Sequence, residues 1–423
     1  MADSRDRASL AGRQWQTWRS LSPAARLLIF NGLAFNLGFY MLMPFLAQHL
    51  GGSLGLAGWA CGLVMGLRVF SQQGLFLLGG SLGDRIGYHS AIVLGCLVRA
   101  LGFVLLGWAD SLSLLLLAAA LTGFAGALFT PCAQAYLAGE CTTPSLRQRA
   151  FALHNLASSA GMLLGPVLGM LLSLQRFALI GLLAGGLFAL LGGLQYWLLP
   201  PVVAQTTAAS QGVLGQWRRM LGERAFVLFT LLAGCYQVLF HQLYLAIPAF
   251  LQSEPQAEHL LGAVFTLSAI IGVLLQLPVS RLVERRLGVA PAMGLGLGLM
   301  GLSYLALPLL APWPAQAVLL QVALLSLGSL LCYPLFAAQL PQFARAGQLG
   351  SYYGLYASLG GCLALVGNLL VGALLGAAGS QPSHLIWLGL TLVGVLAGTG
   401  LWQHVRRCTQ SAAVGKPVVS PPA

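Results

Sequence analysis

The stretch GGSLGDRIGYHSAI, Gly79 to Ile92, places an aspartate and an arginine side by side between two long apolar runs. Charged residues make up only 7% of the 423-residue chain, so the pair Asp84 and Arg85 needs a physical reason. Hydrocarbon offers no water to charges or bare backbone, so a chain crosses it as helices and gathers its polar residues where it turns back. The pair, set among glycines that permit a tight turn, reads as the surface connection between two membrane spans.

The same alternation recurs along the chain. Hydrophobic residues are 58% of the total, mean hydropathy is +0.83, and apolar runs of about twenty residues follow one another, a pattern that excludes a soluble fold. Breaks at charge, proline or glycine clusters predict twelve spans. The first six are 25–49, 56–80, 90–109, 112–138, 150–174 and 177–199; the second six are 226–251, 259–280, 288–311, 315–338, 351–377 and 384–404. Between the two sets lies PPVVAQTTAASQGVLGQWRRMLGER, Pro200 to Arg224, the longest polar connection. The predicted fold is an all-α integral membrane protein of twelve transmembrane helices in two pseudo-symmetric six-helix bundles. It comprises an N-terminal segment (1–24), a first bundle (25–199), a linker (200–225), a second bundle (226–405) and a tail (406–423).

The net charge of +12 invites a nucleic-acid reading, but the arginines stand singly between apolar runs and form no basic stripe with interleaved aromatics. With the N-terminus in the cytosol, all of the 21 Lys and Arg residues except Arg68, Arg99 and Arg176 fall on the cytosolic side, while Asp110, Glu254 and Glu258 occupy the opposite loops. Basic residues near span ends are retained inside, which predicts both termini in the cytosol of a bacterial inner membrane. The N-terminal segment is too long and polar for a signal peptide, and its Trp15 and Trp18 suit the membrane interface. The eight cysteines form no CxxC pair and have no histidine at metal spacing, so neither metal nor cofactor is expected.

The halves echo each other. GFAGALFTPCAQAYLAGE and the span after it correspond weakly to SLGSLLCYPLFAAQLPQ and its successor, pairing Pro131 with Pro334, Phe151 with Tyr353 and Gly165 with Gly367. Two like-oriented halves suit an alternating-access carrier, in which one half rocks against the other about a shared site.

The opening stretch now has a family context. Gly80, Leu82, Asp84, Arg85 and Gly87 resemble the loop signature of the major facilitator superfamily, Gly-x-Leu-x-Asp-Arg-x-Gly, between spans two and three. The resemblance implies a conformational latch in which Asp84 addresses the start of span eleven, GSYYG, with Ser351 as its N-cap. Tyr88 and His89 stand where the family usually has basic residues. GMLLGPVLGM in span five resembles the antiporter signature of the superfamily at Gly161, Gly165, Pro166 and Gly169, with Met170 replacing a last glycine. Small residues at this spacing make one smooth helix face, and Pro166 frees a carbonyl and bends the rod. GLRVFSQQGLFLLGGSLGDRIG resembles drug:proton antiporters of the MdtH type, which implies efflux of small amphipathic compounds driven by protons.

The chain departs from that pattern in its charges. None of its nine acids lies within the membrane part of a span, and Asn31 takes the span-one acid position of the MdtH type. Proton-coupling candidates are therefore Asp84, Glu140, His154 and His241, the last about 22 Å along its span from the cytosolic end. Two cations lie at hydrocarbon depth instead. Arg68 and Arg99 either hold spans two and three through carbonyls and glutamines, or Arg68 faces the cavity and attracts an anionic substrate. The substrate-binding candidates are Asn36, Arg68, Gln72, Gln237, His241, Tyr244 and Asn368.

These features predict a monomeric proton-exchanging exporter of small organic molecules in the lipid bilayer. The alternative is a carrier of the same fold for an anionic metabolite such as a carboxylate siderophore. A membrane enzyme is disfavoured by the lack of HExxH, Gly-x-Ser-x-Gly or paired intramembrane acids, and a receptor by the lack of a sizeable soluble domain.

Overall fold

The structure is a computed structural model that describes residues 18–50, 54, 56, 58–173, 177–201, 213–254, 260–345, 347–377 and 384–413. Among these the chain is helical, with no strand, as hydrocarbon requires of a chain that must satisfy its own backbone. Its helices are α1 (Pro23–Gln48), α2 (Gly58–Gln73), α3 (Phe76–Ile86), α4 (Tyr88–Trp108), α5 (Leu112–Glu140), α6 (Pro144–Ser173) and α7 (Phe177–Leu198). They continue with α8 (Val213–Gly222), α9 (Arg224–His241), α10 (Ala246–Ser253), α11 (Leu261–Leu282), α12 (Val289–Ser303), α13 (Ala306–Leu309), α14 (Pro314–Gln339), α15 (Leu349–Ala377) and α16 (His384–Ala413). Contacts divide the chain into unit 1, residues 1–72 and 82–204, and unit 2, residues 73–81 and 205–423.

Among the described residues, eleven helical stretches are long and apolar enough to cross a membrane, and they coincide with eleven of the twelve expected spans. The remaining one, expected over 56–80, is broken at Gly74 and Leu75 into α2 and α3, and α3 continues to Ile86. This corrects the expected loop: Gly80, Asp84 and Arg85 are helical, and the reversal is made by Gly87 alone, at φ 88°. Only glycine takes that backbone conformation without strain, so one residue suffices to turn α3 into α4. Gly288, at φ 75°, enters α12 in the same way in unit 2.

Unit 1 is closed by glycine contacts. A Cβ added at Gly161 would lie 2.3 Å from the Leu33 carbonyl oxygen, at Gly165 3.0 Å from that of Leu37, and at Gly169 2.2 Å from that of Met41. The motif therefore seats α6 directly on the backbone of α1, and α6 stays helical through Pro166. Gly107 and Gly181 do the same for α4 and α7. Ser22 caps α1 by accepting from the Ala25 amide at 3.1 Å, and its hydroxyl donates to the Glu140 carboxylate.

Unit 2 repeats the seam. Gly367 of α15 rests on Val238 of α9, as Gly165 of α6 rests on α1. Proline breaks two of its spans: Pro248 cannot donate to Tyr244, four residues earlier, and α9 gives way there to a short 3₁₀ turn before α10. Pro308 has the same relation to Tyr304, where α12 ends and α13 follows. Pro131 and Pro334, paired in the sequence repeat, both lie inside unbroken helices, α5 and α14.

Candidate functional site

Three polar clusters stand out against the apolar helices. The first is in unit 2, where segment 73–81 lies on the start of α15. A Cβ on Gly80 would stand 2.1 Å from the Gly350 carbonyl oxygen, and one on Gly354 2.5 Å from that of Phe76. Ser358 accepts from the Leu77 amide at 3.1 Å. Over this crossing lies α8, within the stretch read from sequence as a plain linker. Its Gln216 donates to Ser351 at 2.8 Å, Ser351 donates to Ser81 at 3.1 Å, and the Trp217 indole donates to Ser81 at 2.8 Å. Glu223 completes the clasp by accepting from Tyr352 and pairing with Arg345 at 3.1 Å. Ser351 thus sits at the third position of α15 rather than before it, and its hydroxyl serves this relay instead of capping the helix.

Asp84 belongs to unit 1. It is 3% exposed and accepts a 2.6 Å hydrogen bond from the Tyr88 hydroxyl, the residue that departs from the family's basic pattern. A neutral phenol across the Gly87 turn, at the first position of α4, therefore does part of what a cation does elsewhere. Gly83 allows Cys132 to pack beside this turn, since a Cβ there would meet its sulfur at 2.2 Å.

The second cluster is inside unit 1. Arg99 of α4 is 7% exposed and lies over Phe35 at 4.7 Å, Phe188 at 5.1 Å, Phe103 at 5.7 Å and Phe39 at 5.8 Å, measured to the ring centroids. Among the described residues it has neither a hydrogen bond nor an ion pair, and its Nε is sealed from solvent. Arg68 of α2 lies 5.0 Å from the Phe39 centroid and donates to Gln72 at 3.2 Å. Unit 1 also holds wholly buried amides: Asn31, with no partner for either polar atom, and Gln195, whose oxygen accepts from Cys96 while its nitrogen is unpaired. A buried unpaired ion retains a penalty of several kcal/mol, whereas one desolvated cation–π contact returns about 2 kcal/mol. The rings hold the guanidinium in place but do not replace a counter-charge.

The third cluster, in unit 2, is aromatic and uncharged. Tyr236 stacks on Tyr333 at 5.0 Å and shares a 2.9 Å hydrogen bond with Ser329. Gln242, fully buried, donates to Asn368 at 3.0 Å, and the His241 ring bonds the Gln237 carbonyl at 2.8 Å.

Of the sequence candidates, then, the structure joins Arg68 to Gln72, Gln237 to His241 through the backbone, and Asn368 to Gln242. Tyr244, 47% exposed, lies tilted against Phe265 with ring centroids 5.2 Å apart. Asn36 lies in the α1/α6 seam, donating to the Gly32 carbonyl at 2.8 Å. His154 is half-buried in the same seam, its ring 2.8 Å from where a Cβ on Gly32 would be. Outside the spans, burial raises the Cys141 thiol to about 11. Sequence reading missed Ser81, Gln195, Gln216 and Trp217. Only Trp217 gave a signal, as an aromatic in an otherwise polar connection.

A polytopic, all-helical chain with an internally repeated seam and polar groups buried in each unit is a multi-pass membrane transporter. The comparisons agree: the Major Facilitator Superfamily model matches residues 27–364 and 243–416. The chain belongs to the Major Facilitator Superfamily. An MFS-type transporter of Mycobacterium tuberculosis is 38% identical over 397 residues, 91% of this chain and 94% of its own. Multidrug resistance protein MdtH of Yersinia pestis is 31% identical over 393 residues, 91% of this chain and 95% of its own. Among solved structures, the Escherichia coli fucose:proton symporter FucP shares the fold with a TM-score of 0.70 at 14% identity, covering 90% of this chain and 98% of its own. The human organic anion transporter MFSD10 does so with a TM-score of 0.68 at 18% identity, covering 90% and 99%.

Proposed function

We propose that the chain is a secondary active carrier of the bacterial inner membrane, both termini in the cytosol, that exports small amphipathic organic molecules in exchange for protons. The observation that carries this reading is the 31% identity, over 91% of the chain, to proteins named for multidrug resistance. The repeated seams, Gly165 on α1 and Gly367 on α9, support alternating access, because each unit is packed to move as a body. Proton exchange is assigned to Asp84, His154 and His241, each buried or half-buried.

A second reading is favoured by Arg68 and Arg99, two cations at membrane depth in unit 1 with no acid in its spans between their ends. It makes the cargo an anionic metabolite, such as a carboxylate-rich siderophore, moved outward or inward. Inside-out vesicles under an imposed pH gradient, offered a cationic dye and a citrate-type siderophore, separate the two. Gradient-driven accumulation of the dye supports the first reading and of the siderophore the second. Movement of neither, by a protein shown to be inserted, removes proton-coupled export.

A further inference from the structure

We propose that Arg99 is the receptor for a carboxylate on the transported molecule, and that this molecule joins a single anionic group to a flat aromatic body. The inference rests on the carrier reading above and names the chemical class its cargo must have.

Three observations converge. Arg99 offers donors and meets no acceptor among the described residues. Its Nε is sealed and unpartnered, whereas its two terminal nitrogens, equally without hydrogen bonds, are not among the sealed atoms, so they open onto space. A guanidinium with its fork free is the geometry that grips a carboxylate through two parallel hydrogen bonds. The charge around it points to the same chemistry. Arg68 and Arg99 bring two guanidinium groups to membrane depth in unit 1, and no acid lies in its spans between their ends, so a carboxylate is favoured there and a lipophilic cation is repelled. Phe39, the half-buried one of the four rings and the one that Arg68 also lies over, then sets the rest of the ligand, since it offers stacking surface beside the charge, while the buried Phe35, Phe103 and Phe188 exclude the water that would otherwise solvate it.

Packing alone does not require the cation. The turn glycines Gly87 and Gly288 start α4 and α12 alike, and counting from them the counterpart of Arg99 is Met300, fully buried in unit 2. The same helix of the repeat is thus held by an apolar side chain of similar length. Arg99 adds charge where the framework has an uncharged solution.

The test uses the purified full-length chain and 1-naphthoate, with 1-naphthalenemethanol, a trimethylammonium naphthalene and chloride as comparison ligands. Binding is read as the ligand-induced rise in melting temperature and by titration of intrinsic fluorescence. Naphthoate is expected to bind more tightly than its neutral and cationic analogues, and Arg99→Met to weaken it roughly 10- to 100-fold, the loss of a charge-assisted hydrogen-bonded pair. The ligand-free Arg99→Met protein is expected to melt no lower than the parent. Unchanged naphthoate affinity in Arg99→Met overturns the proposal, as does saturation of the site by chloride with no preference for naphthoate. Should Arg99→Met not fold, Arg99→Lys, which keeps the charge but loses the planar fork, decides it in the same titration: weakened naphthoate supports the site, and unchanged affinity overturns it. Proton-driven dye export by a protein that does not bind naphthoate through Arg99 would refute this site and leave the export reading standing. Naphthoate binding through Arg99 without gradient-driven flux would do the reverse.

Discussion

Gly80→Ala is the most direct challenge to the clasp between segment 73–81 and the start of α15. The added methyl carbon would stand 2.1 Å from the Gly350 carbonyl oxygen, 2.7 Å from its carbon and 3.2 Å from the Ser351 nitrogen. Ordinary contact begins near 3.4 Å, so the two backbones must part by 3.4 − 2.1 = 1.3 Å. No rotamer relieves the overlap, because every atom met belongs to the main chain. Overpacking of this kind costs about 1–3 kcal/mol, a factor of roughly 5 to 150 against the packed arrangement. A displacement of that size also stretches the 3.1 Å bond from Ser351 to Ser81 beyond hydrogen-bonding range. The assay is disulfide formation between Ser81→Cys and Ser351→Cys, followed by mass in a background without the native cysteines. Rapid cross-linking is expected with Gly80 and slowing by the stated factor with Gly80→Ala. Gly139→Ala, at a position with nothing within 4 Å, serves as the control and should leave the rate unchanged. Equal rates and equal melting temperatures with Gly80 and Gly80→Ala would refute the close approach as the reason for glycine.

Asp84→Asn should leave insertion intact and cut transport in inside-out vesicles, with Tyr88→Phe showing a smaller loss through removal of one donor worth about 1 kcal/mol; full transport by Asp84→Asn would remove the latch. Gly161→Ala should lower the melting temperature by pushing α6 off the Leu33 carbonyl, at a cost of about 1–3 kcal/mol, and an unchanged value would contradict the seam.

What the sequence makes legible here is decided by whether a feature has a local cause. Span number and ends follow from hydropathy, because desolvation acts on each residue wherever it packs, and eleven spans appear close to where hydropathy puts them. The spacing of Gly161, Gly165 and Gly169 likewise announces a seam, although only the structure shows that its partner is α1. The break at Gly74 is harder to foresee: a single glycine costs a helix only about 1 kcal/mol, and neither it nor the contacts that decide the outcome mark the sequence strongly. The reach of α3 to Ile86 is concealed for the opposite reason, since charge at Asp84 looks like a loop until Tyr88 is seen to supply its hydrogen bond. Arg99 shows the limit most plainly. Its depth could be counted along the chain, but its surroundings come from α1, α4 and α7, which no spacing within one helix encodes. Sequence therefore locates a charge by depth, whereas its partners depend on which faces of distant helices meet. That is why Arg68, flanked by glutamines in its own span, drew the substrate-binding reading, while Arg99, with the more complete enclosure and no acceptor among the described residues, emerges only from the packing of unit 1.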